Sequence, residues 1–206
     1  IYTLSLHDAL PISYISNIYI IPSGDLQMIS TKNKAQKGIY QEYMDEMAVD
    51  GKLGQWDDHH NALDEYLSID SSRYIMVYQA AAQNGKAVIV IDIKAEAVTE
   101  FMQGLNLGDG SIVGFVTAGG RELAVKRNAG DEQGTPVEGE TIFADKDFYL
   151  QASETDGVRQ VQYNGTEYLF FHSKSEDTGA TMCALVPLKV ITGQAESIKQ
   201  ITIAGD

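Results

Sequence analysis

The sequence predicts an α+β fold of two related modules, each an antiparallel sheet flanked by helices. Three observations predict it. Alternating or β-branched runs are joined by short turns, as in antiparallel pairing. Stretches with helical spacing lie between those runs. The pattern then occurs twice, with about 95 residues between equivalent positions. The hairpin around Gly24-Asp25 has a counterpart at Gly119-Gly120, and Tyr74…Gly85…Asp92-x-Lys94 has one in Tyr168…Gly179…Pro187-x-Lys189.

The opening residues are set aside. Residues 3–12, TLSLHDALPI, look like one translated frame of a widely used sequencing-library adapter. Residues 1–13 are therefore expected to be an assembly artefact, and His7 and Asp8 carry no functional weight. The first module is expected over residues 14–107 and the second over 108–206. In the first, YISNIYII is a β-rich run, Pro22-Ser23-Gly24-Asp25 a turn and LQMIS the return strand. Residues 32–38 form a polar loop. Ile39, Tyr43 and Met47 recur at helical spacing until Asp50-Gly51 breaks the pattern. Leu53, Trp56, His60, Leu63 and Leu67 then share one stripe, which predicts a second helix over LGQWDDHHNALDEYL. Asp57, Asp58, Asp64 and Glu65 fall mostly on its outer face.

Residues 74–98 are the centre of this module. Alternation places Tyr74, Met76 and Tyr78 on one face of a strand, with Ile75 and Val77 on the other. Asn84-Gly85 is a hairpin turn signal, because both residues tolerate positive φ. Residues 87–93 are β-branched and almost wholly apolar, as in a buried central strand. Asp92 is the exception, and a carboxylate at the end of such a strand needs a partner. A helix is predicted over 94–103, followed by a connector marked by Gly104, Gly108 and Gly110.

The second module repeats the plan. A strand over 111–117, a turn at Ala118-Gly119-Gly120 and a return strand over 121–125 come first. A polar loop over 128–140 and a short helix over 145–153 follow. Strands are predicted over 158–163, 167–172 and 180–186, and Pro187 opens a last helix through Ile191, Ala195 and Ile198.

Composition narrows the function classes. A net charge of −14 over 206 residues argues against nucleic acid and against anionic membrane surfaces, which both require Lys/Arg patches. Cys183 is the single cysteine, so no intrachain disulfide forms. No apolar run reaches the roughly 18 residues that span a bilayer, and no clear signal peptide is present.

IYIIPSGDLQMIS, VIVIDIKAEAVTEFM, VGFVTAGGRELAV and TMCALVPLKVITGQAESIKQ, in this order and spacing, resemble the double Cache sensor domains of bacterial transmembrane receptors, across residues 13–203. The resemblance implies two PAS-like (Cache) modules, a membrane-distal one that binds ligand and a membrane-proximal one that transmits. It implies the extracytoplasmic domain of a methyl-accepting chemotaxis receptor at the cell membrane, although sensor histidine kinases and cyclases carry the same domain. The implied partners are a small-molecule ligand, a second receptor copy in a homodimer, and the membrane through segments outside this chain. No cofactor and no metal are called for. The alternative class is a soluble solute-binding or adhesion module.

In the amino-acid-binding branch of that family, an Asp near the end of the closing strand takes the ligand's ammonium, and Asp92 sits there. That branch also uses an Arg-x-Trp-Tyr motif whose Arg clamps the carboxylate. Trp56 aligns with the Trp, but Gly54 stands at the Arg position and Asp57 at the Tyr position. Without the clamp a standard α-amino acid is disfavoured. The expected ligand-binding residues are Trp56, His60, Tyr74, Tyr78 and Asp92. They describe aromatic walls with one carboxylate and one imidazole. Such a box suits a small N–H-bearing metabolite, nucleobase-like or an amine. A short carboxylate paired with protonated His60 is the alternative.

Bland readings stand beside these. Trp56, His60, Tyr74 and Tyr78 are also residues that pack cores, and Asp92 is suited to capping the helix after it. The Asp57-Asp58-His59-His60 run invites a metal, but only Asp57 with His60, or His60 with Asp64, converge on a helix. A solvated face is expected there. No nucleophile elbow, Walker loop, zinc signature or kinase motif occurs, so no enzymatic activity is expected.

Overall fold

The computed structural model describes residues 12–24, 26–31, 36–37, 39–50, 53–82 and 85–193. The adapter-like stretch falls almost wholly outside them, as do Asp25 and Asn84 of the two turns and the last helix beyond residue 193. The chain divides into two compact units. One runs to Val98 and takes in Thr117–Arg121, and the other holds Thr99–Val116 and the chain from Glu122 onward.

The first unit contains β1 (Ile15–Pro22), β2 (Gln27–Ser30), β3 (Gln36–Lys37), α1 (Tyr40–Asp50), β4 (Trp56–Asp57), α2 (Asn61–Leu67), β5 (Tyr74–Ala81) and β6 (Ala87–Lys94). The boundary between the units falls within α3 (Ala95–Gln103). The strands form one antiparallel sheet in the order β3-β2-β1-β6-β5-β4. β6 lies near its middle, paired on both edges, which is why its sequence is almost continuously apolar. The short β3 pairs with β2 inside what the sequence presents as a polar loop.

Residues opposite one another in a sheet share a face. Val77, Asp92 and Asn17 make one row across β5, β6 and β1, and Gln79, Val90 and Tyr19 make the next. This face is covered. Tyr19, Ile21, Met28, Val88 and Val90 pack with Ile39, Tyr43 and Leu63 in one core, with Met44, Leu53 and Tyr66 against it.

Two sequence expectations are corrected here. A β-bulge lies between Tyr74 and Met76, because Tyr74 is opposite Lys94 while Met76 is opposite Ile93. The extra residue breaks the alternation. Tyr74 joins the covered face of Asp92 and Gln79, while Met76 and Tyr78 lie with Ile91 and Ile93 on the other. The second helix is also shorter than its apolar stripe predicts. Gly54 takes φ +82° and its N–H donates to the Gln79 carbonyl, which docks the chain on the sheet edge as β4. The helix starts only at Asn61, so Trp56 sits on a strand, opposite Tyr78.

The second unit has β7 (Ile112–Val116), β8 (Glu122–Lys126), β9 (Thr135–Pro136), α4 (Asp147–Leu150), β10 (Asp156–Tyr163), β11 (Thr166–Lys174) and β12 (Thr181–Pro187). Its sheet runs β10-β11-β12-β7-β8-β9. With β7 to β12 set against β1 to β6, this is the same strand order read from the other edge, so the repeat in the sequence is a repeat of topology. Residues 188–193 continue as helix after Pro187. The core gathers Ile112, Val116, Phe143, Tyr163, Tyr168, Phe170 and Leu185. The Glu122 carboxylate accepts the backbone N–H groups of Ile142, Phe143 and Ala144 and fixes the segment that carries Phe143. Buried Arg127 donates to the carbonyls of Gln103 and Leu105, and so satisfies groups at the end of α3.

Gly114 leaves room for Phe143. A Cβ there would come within 2.4 Å of the Phe143 ring. Gly114→Ala is expected to destabilise the second unit by about 1–3 kcal/mol through overpacking, measured by chemical denaturation. No helix among the described residues is long and apolar enough to cross a membrane.

Candidate functional site

Asp92 is 1% exposed on the covered face of the first sheet. Both its oxygens are engaged. Oδ1 lies 2.7 Å from His60 Nε2, and Oδ2 accepts from the Tyr19 hydroxyl at 3.1 Å. His60 is fully buried at the start of α2, and its Nδ1 lies 3.0 Å from Asp64 Oδ1, one helical turn on. Tyr74 donates its hydroxyl to the other Asp64 oxygen and receives the His60 backbone N–H at 3.4 Å. The imidazole sits between two aromatic rings, with centroids 4.5 Å from Tyr74 and 5.6 Å from Tyr19. Strands β1, β5 and β6 and helix α2 thus converge on one histidine between two carboxylates.

Burial alone would lower the His60 pKa. The contacts with Asp64 and then Asp92, with their charges, outweigh it and push it up to about 9. The imidazole is therefore a cation at neutral pH, hydrogen-bonded through Nε2 to Asp92 and paired by charge alone with Asp64, whose Oδ1 lies near Nδ1 without hydrogen-bond geometry. Burial and the neighbouring carboxylates also raise both phenols, so Tyr19 and Tyr74 stay neutral donors. His59, one residue away, moves the opposite way, lowered first by burial and then by the Arg121 charge.

Arg121, which belongs to this unit, supports the Tyr74 side of the cluster. Its guanidinium lies 5.3 Å from the Tyr74 ring centroid and donates to the carbonyls of Ser71, Asp58 and Ile75. Asp58 accepts from the Thr117 hydroxyl at 2.6 Å and from the Gly119 N–H. A Cβ on Gly119 would lie 2.3 Å from an Asp58 oxygen, so a side chain there displaces the carboxylate from these bonds.

Of the residues expected from the sequence, the structure brings His60, Tyr74 and Asp92 together. Trp56 and Tyr78 meet each other instead, with ring centroids 5.2 Å apart, on the opposite face of the sheet. Asp92 turns its carboxylate to His60 and Tyr19, not to the helix that follows. Asp64 is not an outward residue, since it is only 14% exposed and bonded into the cluster. Two participants, Tyr19 and Arg121, lie outside the residues expected from the sequence, and Tyr43 and Gln79 form a separate buried pair on the same covered face. The alternation Asn17-Tyr19-Ile21 in β1 and the polar Gln79 amid an apolar strand were the available signals. Nothing local marks Arg121.

Neither a family model nor a curated protein matches the chain. Solved structures do. The extracellular domain of rpHK1S-Z16, assigned as a histidine kinase, superposes with a TM-score of 0.56 at 15% identity, covering 91% of this chain and 76% of that one. The ligand-binding domain of the Pseudomonas aeruginosa amino acid chemoreceptor PctB, in complex with L-Arg, gives 0.53 at 11% identity, covering 98% and 81%. The chain therefore has the two-module, PAS-like fold of the Cache sensor domains.

Proposed function

We propose that this chain is the extracytoplasmic ligand-binding domain of a bacterial transmembrane chemoreceptor, and that its first module recognises a small N–H-bearing metabolite at Asp92. The observation that carries the reading is the charge of the buried cluster: Asp64 and Asp92 share one cation, His60. An excess of negative charge away from water favours a ligand that brings N–H groups or a positive charge. A ligand carboxylate is disfavoured, because both imidazole nitrogens already face carboxylates. Asp92 uses two of about four acceptor positions on its oxygens, so a ligand donor still has a place to bind. Tyr19 and Tyr74 supply aromatic walls for a flat or cationic body.

In this reading the second module transmits. Ligand binding shifts the final helix by a small displacement within a receptor homodimer anchored in the membrane. No catalysis is assigned to the domain.

A thermal-shift screen of the chain against amines, nucleobases, α-amino acids and short carboxylates tests the reading. The midpoint should rise with the logarithm of amine or nucleobase concentration above the dissociation constant. Stabilisation by short carboxylates alone would contradict it.

A further inference from the structure

We infer that Gln79 is a second ligand anchor, so that the site selects compact molecules carrying a neutral acceptor, a carbonyl oxygen or ring nitrogen, beside their N–H groups. The inference rests on the binding reading above and names the second half of the ligand's chemistry. Gln79 is fully buried in β5, on the same face as Asp92. Its Oε1 accepts from the Tyr43 hydroxyl of α1. Its Nε2 has no hydrogen-bond partner among the described residues. Buried donors are nearly always satisfied, because an unpaired one forfeits its water without replacement. The flanking positions of the same covered row, Val90 and Tyr19, have apolar bodies that pack, and an apolar residue would serve that packing equally well at position 79. The amide is thus held by one end and offers its other end as a free donor.

The spacing limits the ligand. Val77 is opposite Asp92 and Gln79 is two residues further along β5, which makes Gln79 the diagonal neighbour of Asp92. Such neighbours stand about 7–8 Å apart. A single ring with a donor edge and an acceptor edge bridges an acceptor and a donor at that spacing. A simple amine satisfies Asp92 only, and a carboxylate satisfies Gln79 only while facing two like charges.

Titration calorimetry of the 206-residue chain with cytosine and with cyclopentylamine separates the possibilities. Cytosine carries N–H donors and a carbonyl acceptor, whereas cyclopentylamine carries donors alone. The paired replacement Gln79→Leu with Tyr43→Phe removes both ends of the internal hydrogen bond, which avoids stranding the tyrosine hydroxyl. It should weaken cytosine binding about tenfold or more and leave cyclopentylamine within about twofold. Gln79→Glu keeps an oxygen for Tyr43 and replaces the free donor with a second oxygen. It should give the same selective loss, and melting curves of both variants report whether they fold. The inference is overturned if the two probes weaken equally, if neither weakens, or if the wild-type chain binds cyclopentylamine but not cytosine. Failure of the parent reading looks different: Asp92→Asn then changes neither probe, or neither probe binds the wild-type chain.

Discussion

His60→Ala is expected to lower the stability of the first unit by about 3–5 kcal/mol, the cost of leaving buried charge uncompensated. The side chain is fully buried and stands between Asp92 at 2.7 Å and Asp64 at 3.0 Å. Its removal leaves two carboxylates facing a cavity with two phenols and no cation. Part of the loss is packing, since the ring fills the space between Tyr19 and Tyr74. Asp92→Asn should cost less, because an amide oxygen still accepts from Tyr19 or His60 and Asp64 still faces the imidazolium. Replacing His60 and Asp92 together by leucine should recover much of the loss, as apolar groups of similar volume often match a buried ion pair. Chemical denaturation of the three variants measures this. A loss below about 1 kcal/mol for His60→Ala would mean that the cluster is not an ionic one.

The second large effect is a fall in stability with rising pH. The folded-state pKa of His60, pushed up to about 9, lies above its ordinary value of 6.5. A group raised in this way contributes fully below the unfolded value and loses its contribution as pH climbs through the folded one. The window is therefore about pH 6.5 to 9, and the stability lost across it is roughly 3 kcal/mol. The facing groups do not reverse the sign. Tyr19 and Tyr74 are raised and remain neutral through the window. His59 is lowered, so it acts below pH 6.5, where the unfolded chain takes up a proton that the folded chain resists. The two adjacent histidines should therefore titrate on opposite sides of 6.5 in an NMR experiment on the imidazole protons. Denaturation midpoints that stay flat between pH 6.5 and 9 would remove the charged His60 from the account.

The sheet architecture was legible because β-strands advertise themselves through alternation and turn chemistry, and because the two modules repeat. The twofold pattern predicted two sheets, and the observed strand orders repeat as expected. The site was legible in part. Asp92 stood out as a lone charge in an apolar strand, and the i,i+4 spacing of His60 and Asp64 named a pair able to converge. The facing of Trp56 and Tyr78 was not legible. Strict alternation puts Tyr74 and Tyr78 on one face, but the bulge after Tyr74 adds a residue and reverses every position beyond it. Trp56 was misassigned because five apolar or aromatic residues at helical spacing also occur where a glycine at positive φ diverts the chain into an edge strand. Tyr19 and Arg121 reach the cluster from segments far apart in sequence, and nothing local records such pairings.

The most direct test of an Asp92-centred binding site is titration calorimetry of cytosine and cyclopentylamine against the wild-type chain and Asp92→Asn. The variant keeps the volume and one acceptor oxygen and removes the charge. Binding of at least one probe by the wild-type chain, weakened by about tenfold or more in Asp92→Asn, is the expected result. Equal affinity in the two proteins, or heat from short carboxylates alone, would contradict it.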